Sequence, residues 1–310
     1  MTEQSGIRDE IYTVTAHSVN SSDYQGKAHL FSHFPGTLEA KPCYSSGSGH
    51  PLPEIYSWIK IFGASDAMRI IPVLDLLEGL VVHAIKGERE RYQPVRSILT
   101  SSADPLEVAR CLQTETKCRT FYIADLDAIQ GKGHNREAIG EIASQLDVEL
   151  WVDAGVADAG SANRLVEAGA DVVIIGSETL SGLQQLRFIC DSVPREKFIF
   201  SLDMAKGRVL SRTAALKGIA PSQALARLTS EGLDRFILLT LDAVGTCGGP
   251  DLPLLQGAKR DYPHHSFIAG GGVKTPDHLQ ALSDTGVDGV LVATSLHKGW
   301  IGGRDLMALK

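Results

Sequence analysis

No run of apolar residues in this 310-residue chain approaches the ~20 that a membrane-spanning helix needs. The amino terminus also lacks the pattern of a secretory signal. Basic charge is not in excess: 30 Lys and Arg against 37 Asp and Glu leave a net charge of −7, with no basic cluster. Nucleic acid and acidic membrane surfaces are therefore not expected as partners. The five cysteines (Cys43, Cys111, Cys118, Cys190 and Cys247) never fall in a C-x-x-C spacing, which argues against the common zinc and redox frameworks. They read as reduced thiols of a cytoplasmic protein without a bound metal. The Gly-rich dinucleotide fingerprint is missing too, which disfavours a doubly wound open sheet.

What is present is the composition of an ordinary globular protein, 43% apolar and 22% charged. Residues 1–67 differ from the rest. They are polar and rich in Ser, Gly and His, and end in linker-like text, YSSGSGHPLP. One short amphipathic face, Ile55, Trp58, Ile59 and Phe62, interrupts them. This segment is expected to be a mostly disordered extension, and Met68 a candidate native start, with the folded domain covering 68–310.

From Met68 the text alternates apolar runs with helical spacing. Runs at 69–75, 120–125, 149–153, 172–176, 197–203, 235–240, 266–270 and 289–293 are separated by helices. Asp104-Pro105, for example, supplies an N-cap and a first-turn proline. A short extra strand is predicted at 80–85. Eight strands and their helices in ~250 residues predict a (β/α)8 TIM barrel.

The sequence repeats internally. IIPVLD, ending at Asp75, returns as IFSLD, ending at Asp203, 128 positions later, with Gly79 and Val81 matched by Gly207 and Val209. FYIADLDA at 121–128 matches FILLTLDA at 236–243, aligning Asp125 with Thr240 and Asp127 with Asp242. Gly155-Val156, Gly169 and Asp171 match Gly272-Val273, Gly286 and Asp288 at a constant offset of 117. The barrel therefore reads as two four-strand half-barrels, with Asp75 and Asp203 on equivalent strands across one mouth. A single strand-end Asp is ordinarily a cap or turn residue. A repeated pair on facing strands points to acid–base chemistry or substrate contact.

Phosphate binding is predicted at Gly271-Gly272 after strand seven and Ala293-Thr294 after strand eight, where glycines let backbone N–H groups approach an anion. The first half offers Gly155, Gly176 and Ser177 in the matching places. There, however, Asp153 replaces Gly270, and a carboxylate repels phosphate. One strong phosphate site is expected in the second half, and hydroxyls or a cation in the first. Asp125, Asp127, Asp153 and Asp242 are additional candidates, with loop structure as their ordinary alternative.

IIPVLDLLEGLVV, YIADLDAI, IIGS, FSLDMAKGRV and AGGGV together resemble the histidine-biosynthesis barrels, the isomerase and the cyclase, over essentially all of Met68–Trp300. FSLD followed by GRV is closer to the isomerase. The resemblance implies a half-barrel duplication, a small phosphorylated substrate, no cofactor, and an Amadori rearrangement of an aminoaldose phosphate. It would make Asp75 the general base at C2, Asp203 the general acid that opens the ribose ring, and Thr240 an orienting hydroxyl. Departures fall where such isomerases grip their ligand. Asp153 and Ala157 stand in place of Gly and Arg, Val244 in place of an acidic residue before Gly245-Thr246, and the tryptophan after strand five is missing. The sequence is also similar to a diverged branch of these barrels associated with one-carbon cofactor synthesis of the tetrahydromethanopterin and methanofuran type. That branch implies a lyase or condensing enzyme, and a non-catalytic phosphate-binding barrel is the third alternative.

Overall fold

A computed structural model describes residues 68–246 and 248–309. The expectations for the extension, including the 55–62 apolar face, lie outside these residues. In chain order the strands are β1 (Arg69–Leu77), β2 (Leu80–His83), β3 (Gln93–Pro94), β4 (Thr120–Asp125), β5 (Glu149–Asp153), β6 (Val172–Gly176), β7 (Phe198–Ala205), β8 (Arg208–Val209), β9 (Arg235–Thr240), β10 (Ser266–Gly270) and β11 (Gly289–Val292). The helices are α1 (Pro105–Thr116), α2 (Leu126–Gln130), α3 (Arg136–Gln145), α4 (Ala159–Glu167), α5 (Leu183–Ser192), α6 (Pro221–Ser230), α7 (Leu252–Asp261), α8 (Pro276–Asp284), α9 (Thr294–His297) and α10 (Gly303–Met307).

Parallel pairing runs β1-β4-β5-β6-β7-β9-β10-β11, and β11 pairs back onto β1 with Arg69 opposite Gly289 and Pro72 opposite Val292. The eight strands are thus a closed (β/α)8 barrel, as the alternating text predicts. β7 lies four places from β1 in either direction, so the two repeated aspartate strands face each other across the barrel.

Strand alternation sorts the core into two. Ile71, Tyr122, Trp151, Ile174, Ile199, Ile237 and Ile268 fill the barrel, while Leu74, Leu76, Phe121, Phe200, Phe236 and Phe267 turn outward beneath the helices. Each fully buried side chain of that size contributes about 1.5–3 kcal/mol of apolar burial. The helices end as their sequences dictate: Asp104 accepts the Glu107 N–H at 2.9 Å, with Pro105 in the first turn of α1.

The repeat persists as contacts. The Asp171 carboxylate accepts the Leu150 amide at 2.9 Å, and Asp288 accepts the Phe267 amide at 2.8 Å, each joining matched strands. β1–β2 and β7–β8 are two antiparallel hairpins turning at Glu78-Gly79 and Lys206-Gly207. All four turn residues have positive φ, the requirement of a type I′ turn matched to strand twist. The predicted extra strand is therefore a hairpin arm, shorter than expected at Leu80–His83, and its counterpart β8 was not expected. Among the described residues no helix is long and apolar enough to cross a membrane.

Candidate active site

The C-terminal ends of the strands open on a cavity of about 730 Å³. Its floor follows from strand parity. Ile71 and Val73 point into the barrel, so Asp75, two residues on, points into the mouth. Ile199 and Ser201 place Asp203 in the same way, and Trp151 places Asp153. All three carboxylates line the cavity, together with Tyr122, Gly176, Gly271, Gly272, Ala293 and Thr294.

Burial sets their charge. Desolvation lifts Asp75 from 3.8 to about 7. Asp203 also rises to about 7, first through burial and then through the Asp153 and Glu178 charges. Ser201 Oγ at 3.0 Å and the Glu178 amide at 3.3 Å donate to Asp203 and hold it back. Asp153 rises to about 6, again mainly by burial, against the Gly155 amide at 3.0 Å and the Tyr122 hydroxyl at 3.3 Å. Burial pushes Tyr122 itself well above its usual range, so it stays a neutral donor. A methyl group on Gly176 would sit 3.6 Å from both Asp153 Oδ2 and Asp203 Oδ2, so these two carboxylates flank that glycine.

The two matched candidate sites for an anion differ in what their donors do. Gly271 (φ 99°) and Gly272 (φ 80°) adopt a turn that a side chain would obstruct. A Cβ at Gly271 would lie 2.6 Å from the Thr240 carbonyl oxygen, and one at Gly272 would collide with the Gly249 carbonyl. Among the described residues neither amide has a protein acceptor. In the first half the donors are occupied. The Gly155 amide is taken by Asp153 Oδ1, and the Glu178 amide by Asp203 Oδ2. The fully buried Ser177 hydroxyl accepts the Asp203 amide at 3.0 Å and donates to the Leu210 carbonyl at 2.8 Å. Neither Gly155 nor Ser177 lines the cavity.

Of the four remaining candidates, Asp125, Asp127 and Thr240 lie outside the cavity lining and only Asp242 belongs to it. Asp125 faces away from the mouth and accepts Ala128 N (3.1 Å), Asn135 N (2.7 Å) and Asn135 Nδ2 (2.7 Å). Asp127 accepts the Glu78 amide at 2.7 Å and Asn135 Nδ2 at 2.8 Å, pinning the β1–β2 turn. Asp242 lines the cavity and accepts the Lys206 amide at 3.2 Å, so it pins the β7–β8 turn as Asp127 pins the matched one. Thr240 does not line the cavity; its neighbours Leu239 and Leu241 do, and alternation turns Thr240 to the other face. Asp125→Ala would orphan the buried Asn135 and the α2 start, and should cost about 1–3 kcal/mol in urea unfolding. Ligand binding in the cavity should be unchanged.

Sequence reasoning missed His83, Lys86, Arg89, Tyr92, Tyr122, Glu178, Lys206 and His297, all lining residues. Arg89 and Glu178 pair at 2.9 Å at the mouth. Burial pushes Tyr92 up to about 12. The period-2 pattern of β4 carries the signal for Tyr122. The charged text KGERERY had no period by which to aim its side chains.

A model of the histidine biosynthesis protein family matches residues 69–302. The chain belongs to that family. It is 29% identical over 245 residues to an Acidothermus cellulolyticus isomerase whose name specifies an imidazole-4-carboxamide bearing two phosphoribosyl groups, covering 77% of this chain and 97% of that protein. A Nocardioides isomerase of the same name is 30% identical over 251 residues, 79% of this chain and 98% of its own length. An uncharacterized protein of Methanocaldococcus jannaschii is 31% identical over 235 residues, 75% of this chain and 94% of that protein. Within the family the chain lies close to these isomerases, consistent with an enzyme.

Proposed function

We propose that this family member is an aldose–ketose isomerase acting on an aminosugar that carries one phosphate. The observation that carries the reading is the opposed pair Asp75 and Asp203. They are repeat-related carboxylates on facing strands, both raised to about 7, opening on one cavity with a glycine anion seat beside them. In this reading a phosphate sits on the Gly271 and Gly272 amides and the Thr294 hydroxyl, which fixes the sugar across the mouth. Asp203, protonated, donates to the ring oxygen as the C1–O bond breaks, leaving a protonated imine at C1. Asp75, ionised, removes the C2 proton to give the enolamine and returns a proton to C1. Loss of the O2 proton leaves the ketone, and Asp203 is re-protonated. No atom is gained or lost, so no co-reactant is required.

Asp153 supports the single phosphate. It stands where the second half has Gly270 and takes the amide that an anion would need, so the first-half end suits hydroxyl or amino groups instead. Crystals soaked in sulfate should show one ion, at Gly272 and Thr294. Asp153→Gly should add a second near Gly155, with the Ser177 hydroxyl close by. A sulfate near Gly155 in the unaltered protein, with none near Gly272, would reverse the assignment.

A further inference from the structure

The anion seat in the second half has two histidine neighbours that the repeat does not explain. His83, at the end of β2, places Nε2 3.0 Å from Thr294 Oγ1, the hydroxyl that opens the seat. His297, three residues further along α9, lines the same cavity and is only 5% exposed. Its Nδ1 meets Ser97 Oγ at 3.1 Å, while its Nε2 is buried with no hydrogen-bond partner. A buried ring nitrogen without a partner carries a desolvation penalty that a ligand or a proton acceptor would relieve. Among the described residues no lysine or arginine side chain hydrogen-bonds to Thr294, and the Lys274 ammonium lies over the Trp300 ring at 5.2 Å. His83 is therefore the ionisable side chain that bonds the Thr294 hydroxyl, with the His297 ring and Lys298 near it.

We propose that His83 and His297 belong to the anion seat, and that a dianion binding there brings a proton with it. The inference rests on the phosphate reading of the Gly272 turn. The chemistry follows from the hydroxyl. If Thr294 O–H turns to donate to an anion, its oxygen can only accept from His83, so His83 Nε2 must carry a hydrogen. Two negative charges beside that ring and the buried His297 ring then favour imidazolium over imidazole. In the free protein both rings are held neutral, His297 at about 4 and His83 below its usual value. Burial is the main cause in each; for His297 the His83 ring comes next, and Lys298 adds to both. Proton uptake is thus expected on binding at neutral pH rather than beforehand. The other charged groups lining this cavity are Lys86 and Glu88 beyond β2, Arg89 and Glu178 at the mouth, Lys206 and Asp242 at the β7–β8 turn, and Asp75, Asp153 and Asp203 on the floor. The floor carboxylates also titrate near neutrality, and the test must separate them from the histidines.

Sulfate is the suitable probe, because it stays a dianion from pH 5 to 9 and any proton taken up goes to the protein. Calorimetric titration of the full chain at pH 7, in two buffers of different ionisation enthalpy, counts those protons. The expected result is an uptake of about half to one proton per sulfate, with affinity roughly 10- to 100-fold tighter at pH 6 than at pH 8. His83→Asn and His297→Gln should each reduce the uptake, and Asp75→Asn should leave it in place. Imidazole nitrogen spectra of the unaltered protein supply the same answer without mutation: sulfate should move His83 and His297 toward the protonated form. Sulfate binding without proton uptake, or uptake that survives in both histidine variants, would overturn the inference and leave the phosphate seat standing. No sulfate binding at either pH would overturn the phosphate reading and this inference together.

Discussion

Asp75→Asn and Asp203→Asn should each lower turnover by about 10²–10⁴-fold, the usual cost of losing a positioned acid or base. Their folds and most of their ligand affinity should survive, because the proposed anion grip lies on the loops after β10 and β11. The amide keeps the size of the carboxylate, and Asp75 has no hydrogen-bond partner for its carboxyl among the described residues to lose. Each residue should be individually necessary, since they face each other across the barrel and neither can reach the other's reacting atom. With both groups near 7, one ionised and one protonated, the unaltered enzyme should show a bell-shaped rate profile centred near neutral pH. Asp75→Asn should remove the acidic limb and Asp203→Asn the alkaline limb of whatever activity remains. Near-normal turnover in either variant would take that residue out of the chemistry. Activity surviving in both, with loss on Asp153→Asn, would move the reaction to the first half of the barrel.

The same three carboxyls should make the protein less stable as pH rises from about 4 to 7. Their ordinary value is 3.8, and burial lifts them to about 7, 6 and 7 in the folded chain for Asp75, Asp153 and Asp203. Between those values the folded state binds more protons than the unfolded one, so a rise in pH works against folding. The penalty is absent below about 4 and complete above about 7. Each tenfold change in proton affinity is worth about 1.4 kcal/mol at most, and relaxation and water in the cavity reduce it, so on the order of 1–3 kcal/mol per carboxyl is expected. Asp158 is shifted down by the Ser161 amide that it caps, and acts only at lower pH. His297, lowered by burial from 6.5 to about 4, acts in the opposite sense between those values and offsets part of the fall, while the three carboxyls together outweigh it. Urea midpoints should therefore fall from pH 5 to pH 8. Asp203→Asn should raise the midpoint at pH 8 and change it little at pH 5. An inactive variant more stable than the active protein is the mark of a site that stores an electrostatic cost for function. A flat midpoint across that range, or a variant destabilised equally at both pH values, would contradict it.

Most of the barrel was legible because its strands are buried on both sides and punctuated by turn and cap residues. The 120–125, 149–153, 172–176, 235–240 and 266–270 strands match the structure end for end. β1 and β7 run two residues further than their Asp, because each continues into a hairpin whose partner arm is too short to show a period. The site was legible in part. Asp75, Asp153 and Asp203 sit two residues beyond inward-facing Val73, Trp151 and Ser201, a period-2 relation that extends directly from the strands. Thr240 is a candidate through its match to Asp125 and through the resemblance to the isomerases, and parity turns both residues away from the mouth. Asp127 and Asp242 kept their repeat relation as turn anchors, which the spacing of carboxylates cannot distinguish from chemistry. His83 reaches Thr294 from 211 residues away in sequence, and only closure of β11 onto β1 brings it beside α9 and His297.

Asp75 is expected to break the C2–H bond of a phosphorylated aminoaldose. The direct measurement follows a deuterium label at C2 of N-substituted 1-aminoaldose monophosphates. With the unaltered enzyme the label should leave C2, either to solvent or to C1, as ketose forms, and with Asp75→Asn it should stay in place while the ligand still binds. Ketose formed with the label retained at C2, or label lost equally fast in Asp75→Asn, would contradict the account.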